Sequence, residues 1–311
     1  SPFAIGADGG GSIRIPAAAS GVFGIKPTWG RVTRFGDVSV GTVEHLGPIA
    51  SSTLDLARVL EVIGPTDASD RVTRDAPPIP KGSLEKSLGR GVKGVRIGVP
   101  ESEWADADDE IQKACWTALR ALEKDGAILV PVQSELTPFA AVIGYLDLGV
   151  GASAALYPVF KERREVLGPD LQVTIAAVAG AGAVEFLDAL RLRAGLRREM
   201  RRIFGDVDLY ALPTLAKSPP SVTDGEMASG FVDPGVLAGF TRYTFLANLT
   251  GLPAGTAPVG LDRSRLPIGF QLVGDAWDEA SVLAALAHLE RTGAAKVERP
   301  EVHVSLLPSK R

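Results

Sequence analysis

The residues with the greatest chemical promise lie at the start of the chain, in Gly6-Ala7-Asp8-Gly9-Gly10-Gly11-Ser12-Ile13-Arg14-Ile15-Pro16. Three successive glycines let backbone N–H groups converge with no side chain in the way, and such a nest binds an anion. That anion is a phosphate or the oxyanion of a tetrahedral intermediate. A serine hydroxyl directly after the nest favours the second, because a nucleophile needs its oxyanion donors within about 3 Å of the developing charge. Ser12 is therefore the candidate nucleophile, and the amides of Gly9, Gly10, Gly11 and Ser12 are the candidate oxyanion donors. Asp8 and Arg14 carry opposite charges on either side of the turn, and their spacing predicts a pair that holds its shape. A plain turn with a helix-capping serine gives the same short pattern. Other glycine motifs fit less well: the Gly-Lys-Ser/Thr ending of a Walker loop, a dinucleotide GxGxxG with its acidic partner and a GxSxG elbow are all missing here.

The remaining reactive side chains are scattered. Cys115 is the single cysteine, which rules out an internal disulfide framework, and its helical neighbours Ile111, Ala118, Leu119 and Leu122 make it a small core residue. His45, His288 and His303 lie far apart and form no HxxH or HExxH pair, so no metal site is expected. The net charge of −4 supplies no positive field for nucleic acid or anionic lipid. Six arginines fall between Arg191 and Arg202, but they share that stretch with Glu199 and read as a solvated helix face. The sequence shows no apolar run of spanning length and no signal peptide, so a soluble, cytoplasmic protein without membrane partners is expected.

The elements that must position these residues follow from periodicity and caps. Residues 1–8 read as a buried strand running into the glycine turn, with a short helix through Ala19 that accommodates Pro16 in its first turn. Gly21 and Gly24 break it, and Lys26-Pro27-Thr28 opens a loop. Ser52 or Thr53 caps a helix through Ile63, whose apolar face is Leu56, Val59, Leu60 and Ile63. Residues 65–93 read as a long surface connection. Val95–Val99, a helix from Asp106 or Asp108 to Asp125 with Gly126 as its stop, and Ala127–Val132 form a strand–helix–strand unit that favours a parallel pair. Helices are expected near 139–160, 183–204 and 236–249, with a polar loop at 216–235. Strands are expected at 207–212, 255–259 and 268–273, the last two paired through Asp262–Arg265. A capped helix from Asp278 to Arg291 closes a chain with no fixed-period repeat. The class is α/β.

Beyond these local readings, GADGGGSIRIPAAASGVFGIKPTWGRV at residues 6–32 resembles the signature stretch of the amidase signature family, which reads GTDTGGSIR-x-PA and then GLKPT-x-GRV. His45-Leu46-Gly47-Pro48-Ile49-Ala50 resembles that family's D-x-x-GP-[MI]-A. Asn248-Leu249-Thr250-Gly251-Leu252-Pro253-Ala254 resembles its N-x-x-GLPA. Leu266–Gly274 resembles its GLP-[IV]-G-[LF]-Q-L-[IV]-G. The motifs occur in family order across almost the entire chain. The resemblance implies one large mixed β-sheet surrounded by helices, and hydrolysis of a small-molecule amide through a Ser–cis-Ser–Lys triad and an acyl-enzyme. It places the nucleophile at Ser12 and the oxyanion hole at Gly9–Ser12, and it implies no metal or organic cofactor.

The family's bridging serine and lysine lie before the signature, whereas only eleven residues precede Ser12. Lys26 matches the lysine of GLKPT and not the base. Ala7 and Gly9 stand where the family usually has threonines, and Ser20 where many members have cysteine. The expectation is therefore a single amidase-signature domain over 1–311, truncated and incomplete at its N-terminal side. Its exposed apolar surface would favour a homodimer or association with the missing N-terminal segment. Two other readings stay open: an amidotransferase subunit for tRNA-linked amidation, against which Ile15 stands where such subunits commonly carry glutamine, and a scaffold that kept the fold and lost the triad. Thr214, Phe139 and Tyr145 are candidates for the substrate pocket or equally for the core, and Ile15 favours an uncharged acyl group.

Overall fold

The computed structural model of the chain describes residues 2–36, 41–229 and 233–298. Ser1 and His303 lie outside the described residues. In chain order the elements are β1 (Phe3–Asp8), α1 (Arg14–Ala19), β2 (Phe23–Lys26), β3 (His45–Ala50), α2 (Thr53–Ile63), α3 (Ser83–Ser87), β4 (Arg96–Val99), α4 (Glu101–Trp104), α5 (Asp109–Lys124) and β5 (Ile128–Pro131). There follow α6 (Ala140–Glu162), α7 (Pro169–Val178), α8 (Ala183–Ile203), β6 (Leu209–Pro213), α9 (Asp224–Ser229), α10 (Pro234–Thr241), α11 (Phe245–Thr250), β7 (Ala254–Leu261), β8 (Pro267–Gly274) and α12 (Glu279–Thr292).

The strands form one mixed sheet of eight, ordered β1-β3-β2-β7-β8-β6-β4-β5. The expected strand–helix–strand unit is present, with β4 and β5 parallel, and β4 also runs parallel to β6. Every other pairing is antiparallel. Because successive strand residues face opposite ways, the register sorts the two faces. Gly24, Thr256 and Gln271 lie side by side on one face, and Ala17 of α1 packs against Gly24. Ile25, Gly255 and Leu272 line the other face, where Leu286 and Val282 of α12 meet Gly255. Large apolar side chains fill both layers, among them Phe23, Ile25, Trp104, Phe245, Phe270 and Leu286, all essentially without exposure.

Several elements depart from the sequence expectation. Strands β2 and β3 occupy a region that reads as glycine breaks and a loop. The glycines there serve close packing: a side chain at Gly47 would put its Cβ 2.3 Å from the carbonyl oxygen of Ile25. Within the 65–93 connection lie a 3-10 turn at Arg71–Thr73 and helix α3, whose Leu84 is buried in the core. Helix α7 interrupts the Gly- and Ala-rich separator, and α9 lies inside the polar 216–235 loop. The helix expected over 236–249 is two helices, separated by a turn at 242–244 in which the Thr244 amide donates to the Thr241 carbonyl. Ser52 and Asp278 cap as expected. Asp108 sits at the start of α5 but its carboxylate pairs with Lys217 instead of the helix amides. Cys115 is buried core, and burial pushes its thiol well up.

The expectation of no spanning run is also corrected: Thr137–Glu162 is long and apolar enough to cross a membrane by length and composition. Its Asp147 is paired at 2.8 Å with the buried Arg193 of α8, which also donates to the Leu249 carbonyl at the end of α11. The pair joins α6, α8 and α11. Strand β1 is an edge strand, paired with β3 alone among the described strands, and Phe3 and Ile5 are 43% and 47% exposed.

Gly47→Ala tests the tight β2–β3 contact. We expect a loss of about 1–3 kcal/mol or more from overpacking against backbone, read as a lowered urea midpoint at unchanged m-value.

Candidate functional site

Strand β1 ends at Asp8, the glycine turn follows, and α1 begins one residue after Ile13. Each glycine in the turn is required for its own reason. Gly11 has φ +132°, a conformation that L side chains rarely adopt, and a Cβ at Gly10 would lie 2.5 Å from the Phe245 ring. Helix α6 supports the turn from the side: Leu148 reaches Gly9, and Gly144 allows Phe245 to approach α6.

The predicted Asp8–Arg14 pair forms, and it is fully buried, with Nη2 to Oδ1 at 2.9 Å and Nε to Oδ2 at 3.0 Å. The remaining guanidinium N–H groups reach the Thr244 carbonyl at 2.8 Å, Gln271 Oε1 at 2.6 Å and Asn248 Oδ1 at 2.6 Å. The guanidinium's five donors are thus satisfied by three different parts of the chain. The Asp8 carboxylate in turn accepts from the amides of Gly11 at 2.7 Å and Ile13 at 3.2 Å, and from Asn248 Nδ2 at 2.8 Å. Burial alone would raise the Asp8 pKa. The Arg14 charge and hydrogen bonds, with help from Lys26 and Asn248, overcome it and hold the carboxyl well below the usual range. Thr244 Oγ1 closes the network by donating to the Gly10 carbonyl.

This arrangement sorts the turn's amides. Those of Gly11 and Ile13 point inward to Asp8. Those of Gly9, Gly10 and Ser12 make no hydrogen bond among the described residues. Ser12 is exposed, and its hydroxyl neither caps α1 nor meets any described partner. Of the four candidate oxyanion amides, Gly11 is therefore committed to Asp8 and three remain open.

Beneath the turn, on the face of the sheet that carries Gln271, lie two ionisable groups whose charged forms burial disfavours. Lys26 is fully buried; desolvation, reinforced by Arg14, lowers its pKa well below the usual value, and its Nζ donates to the Pro27 carbonyl at 2.9 Å. No hydrogen bond joins it to Ser12. His45 sits opposite Asp8 in the β1–β3 register, and its Nδ1 meets the Val43 carbonyl at 2.8 Å. Burial and then Lys26 depress its pKa, and its Nε2 has no partner among the described residues. His288 is elsewhere, against Asp125 at 2.8 Å. No group of three or more His, Cys, Asp or Glu among the described residues is placed to hold a metal ion.

Of the pocket candidates, Thr214 is buried and hydrogen-bonded to Thr256 at 2.6 Å, which makes it core. Phe139 is 56% exposed beside the start of α6. Tyr145 packs edge-on against Phe245, the ring beneath Gly10, so it is the one closest to the turn by these contacts. Asn248, Gln271 and Thr244 carry the network, yet sequence reasoning assigned them no role. Asn248 and Gln271 lie in motifs whose spacing to Arg14 exceeds two hundred residues, and only packing brings them together.

The fold and this turn define an amidase signature architecture. A sequence profile described as Amidase matches residues 1–283, and the chain belongs to that family. Among curated relatives it is 33% identical to the glutamyl-tRNA(Gln) amidotransferase A-subunit of Acinetobacter baumannii, over 91% of this chain and 61% of that protein. It is 34% identical to the protein of the same name from Myxococcus xanthus, over 93% of this chain and 63% of that protein. The chain thus spans less than two thirds of the length of these relatives. Among solved structures it superposes on a bacterial aryl acylamidase of the amidase signature family with a TM-score of 0.79 at 26% identity, covering 94% of this chain and 62% of the other. It superposes on the glutamyl-tRNA(Gln) amidotransferase A-subunit of Thermotoga maritima with a TM-score of 0.78 at 25% identity, covering 96% and 66%.

Two outcomes test the electrostatics. Arg14→Ala leaves Asp8 as an uncompensated buried charge, so we expect a loss of about 3–5 kcal/mol in denaturant unfolding, with Arg14→Lys failing to restore it because one ammonium cannot replace the planar fork. For His45 the folded pKa lies below the ordinary 6.5 of the unfolded chain. Below that pH the unfolded state binds a proton that the folded state refuses, so stability falls as pH drops, by up to about 1.4 kcal/mol per pH unit. Unfolding free energies of the parent and His45→Gln, measured from pH 7 down to 5, should show the slope flattened in the variant.

Proposed function

We propose that the site hydrolyses the C–N bond of a small-molecule carboxylic amide through a Ser12 acyl-enzyme. The observation that carries this reading is the coincidence of an exposed, unpartnered Ser12 hydroxyl with the open amides of Gly9, Gly10 and Ser12, on a turn whose other amides are held by Asp8. Ser12 Oγ attacks the amide carbonyl, and the carbonyl oxygen takes up negative charge in front of the open amides. The C–N bond then breaks, a proton passes to the departing amine, and water cleaves the resulting ester. Asp8 and Arg14 position the turn and take no part in bond making. The base that receives the serine proton is the Ser–Lys pair that the family resemblance implies, whose motif lies before the signature in that family and is not among those matched here. The reading needs no cofactor and keeps the cytoplasmic setting.

The names of the curated relatives favour a second reading, an amidotransferase subunit that releases ammonia within a larger assembly. Ile15, in place of the glutamine expected there, weighs against it.

Treatment with a serine-reactive fluorophosphonate, followed by mass mapping, is the test. Once the Ser–Lys pair is in reach of Ser12, we expect one adduct, on Ser12, that is absent in Ser12→Ala. A folded sample that has the pair and gives no adduct would favour the non-catalytic scaffold.

A further inference from the structure

We infer that Glu44 selects the substrate at this site, favouring amides that carry a cationic or N–H-rich group near the scissile carbonyl. The inference rests on the hydrolase reading and names its substrate class.

The β1–β3 ladder pairs Phe3 with Ala50 and ends with Asp8 opposite His45. One step further, the same register sets Glu44 opposite Gly9, the first residue of the turn. Opposed residues on antiparallel strands project to the same side. Accordingly, a Cβ built at Gly9 would lie 3.1 Å from Glu44 Cγ and 3.6 Å from its Oε1. The absence of a side chain at Gly9 leaves room for the carboxylate beside the open amides. On the same spot Leu148 Cδ1 comes within 2.8 Å of that Cβ position, so the carboxylate adjoins an apolar wall.

Glu44 is only partly screened. Its side chain keeps 21% exposure, and it accepts no hydrogen bond from any described residue. The cation it faces is the Arg34 guanidinium at 3.9 Å, whose Nη1 also donates to the Gly41 carbonyl at 2.9 Å. Asp8, by contrast, has its charge matched at 2.9 Å inside the fold. The two carboxylates that touch the turn therefore differ: one is saturated from within, and the other accepts no hydrogen bond from any described residue and keeps part of its surface exposed. A carboxylate beside a developing oxyanion opposes it by like-charge repulsion. A substrate cation lying between them removes that repulsion and gains a charge-assisted hydrogen bond. An anionic acyl chain meets repulsion from both. This replaces the uncharged acyl group that Ile15 suggested: Ile15 packs inward, its Cδ1 2.5 Å from a Cβ built at Gly11.

The test is an NMR titration of the 311-residue chain with 4-aminobutanamide, its neutral isostere pentanamide, and anionic glutaramate. We expect the cationic amide to bind about five- to tenfold more tightly than pentanamide, with glutaramate weakest, at low salt. Glu44→Gln should bring all three within about twofold, and Glu44→Asp, which draws the carboxylate back by one methylene, should give an intermediate ratio. Equal affinities in the parent, a preference that survives Glu44→Gln, or no binding of any amide would each overturn the proposal. Binding does not require an activated Ser12. A cation preference lost in Glu44→Gln without fluorophosphonate labelling in the presence of the Ser–Lys pair would therefore sink the hydrolase reading alone, and labelling without the preference would sink this one alone.

Discussion

A buried ion pair governs this part of the molecule. Asp8 and Arg14 have no exposure, and a charge in that position is tolerated only if every donor and lone pair near it is met. Six residues separate them along the chain, but their remaining partners come from Thr244, Asn248 and Gln271, far downstream. The start of the chain, the α10–α11 junction and strand β8 must therefore meet at one point. The geometry of the glycine turn is a consequence. Once Asp8 draws in the amides of Gly11 and Ile13, those of Gly9, Gly10 and Ser12 are left without a hydrogen bond among the described residues.

The surrounding packing protects that arrangement by exclusion of side chains as much as by contact. Phe245 lies against both Gly10 and Gly144, so a single ring sets the distance between the turn and α6. Lys26 and His45 lie in the same polar layer as Asp8, and burial lowers the pKa of both. Arg14 is the cation to which Asp8 is bonded. The Asp147–Arg193 pair plays the corresponding structural part farther out, tying α6 to α8 and to the Leu249 carbonyl.

The architecture also separates rigidity from reach. Strands β7 and β8 are covered on both faces, by α1 on one and α12 on the other, and their side chains are mostly buried. Ser12 and Glu44 stand at the margin, where backbone held by the core meets solvent. That placement leaves the Ser12 hydroxyl exposed while the backbone beside it is held by the core.

Much of this was legible in the residues. The Gly-Gly-Gly-Ser run, with Asp8 and Arg14 at its ends, is local chemistry at short spacing, and the turn and the pair both follow from it. The parallel β4–β5 unit, the Ser52 and Asp278 caps and the core placement of Cys115 were readable for the same reason: each depends on neighbours within a few residues or on one helical period. What only the tertiary structure decided depends on distant partners. Strand β2 looks like a break because Gly24 carries the signal of a turn, whereas its real constraint is the approach of α1; at Gly47 the constraint is the β2 backbone. The Thr244 carbonyl at the start of α11 is taken by Arg14, a partner 230 residues away. The withdrawal of the Gly11 amide, the lowered pKa of Lys26 and the position of Glu44 over Gly9 depend on burial and register, quantities that exist only once strands are paired and charges are taken out of water.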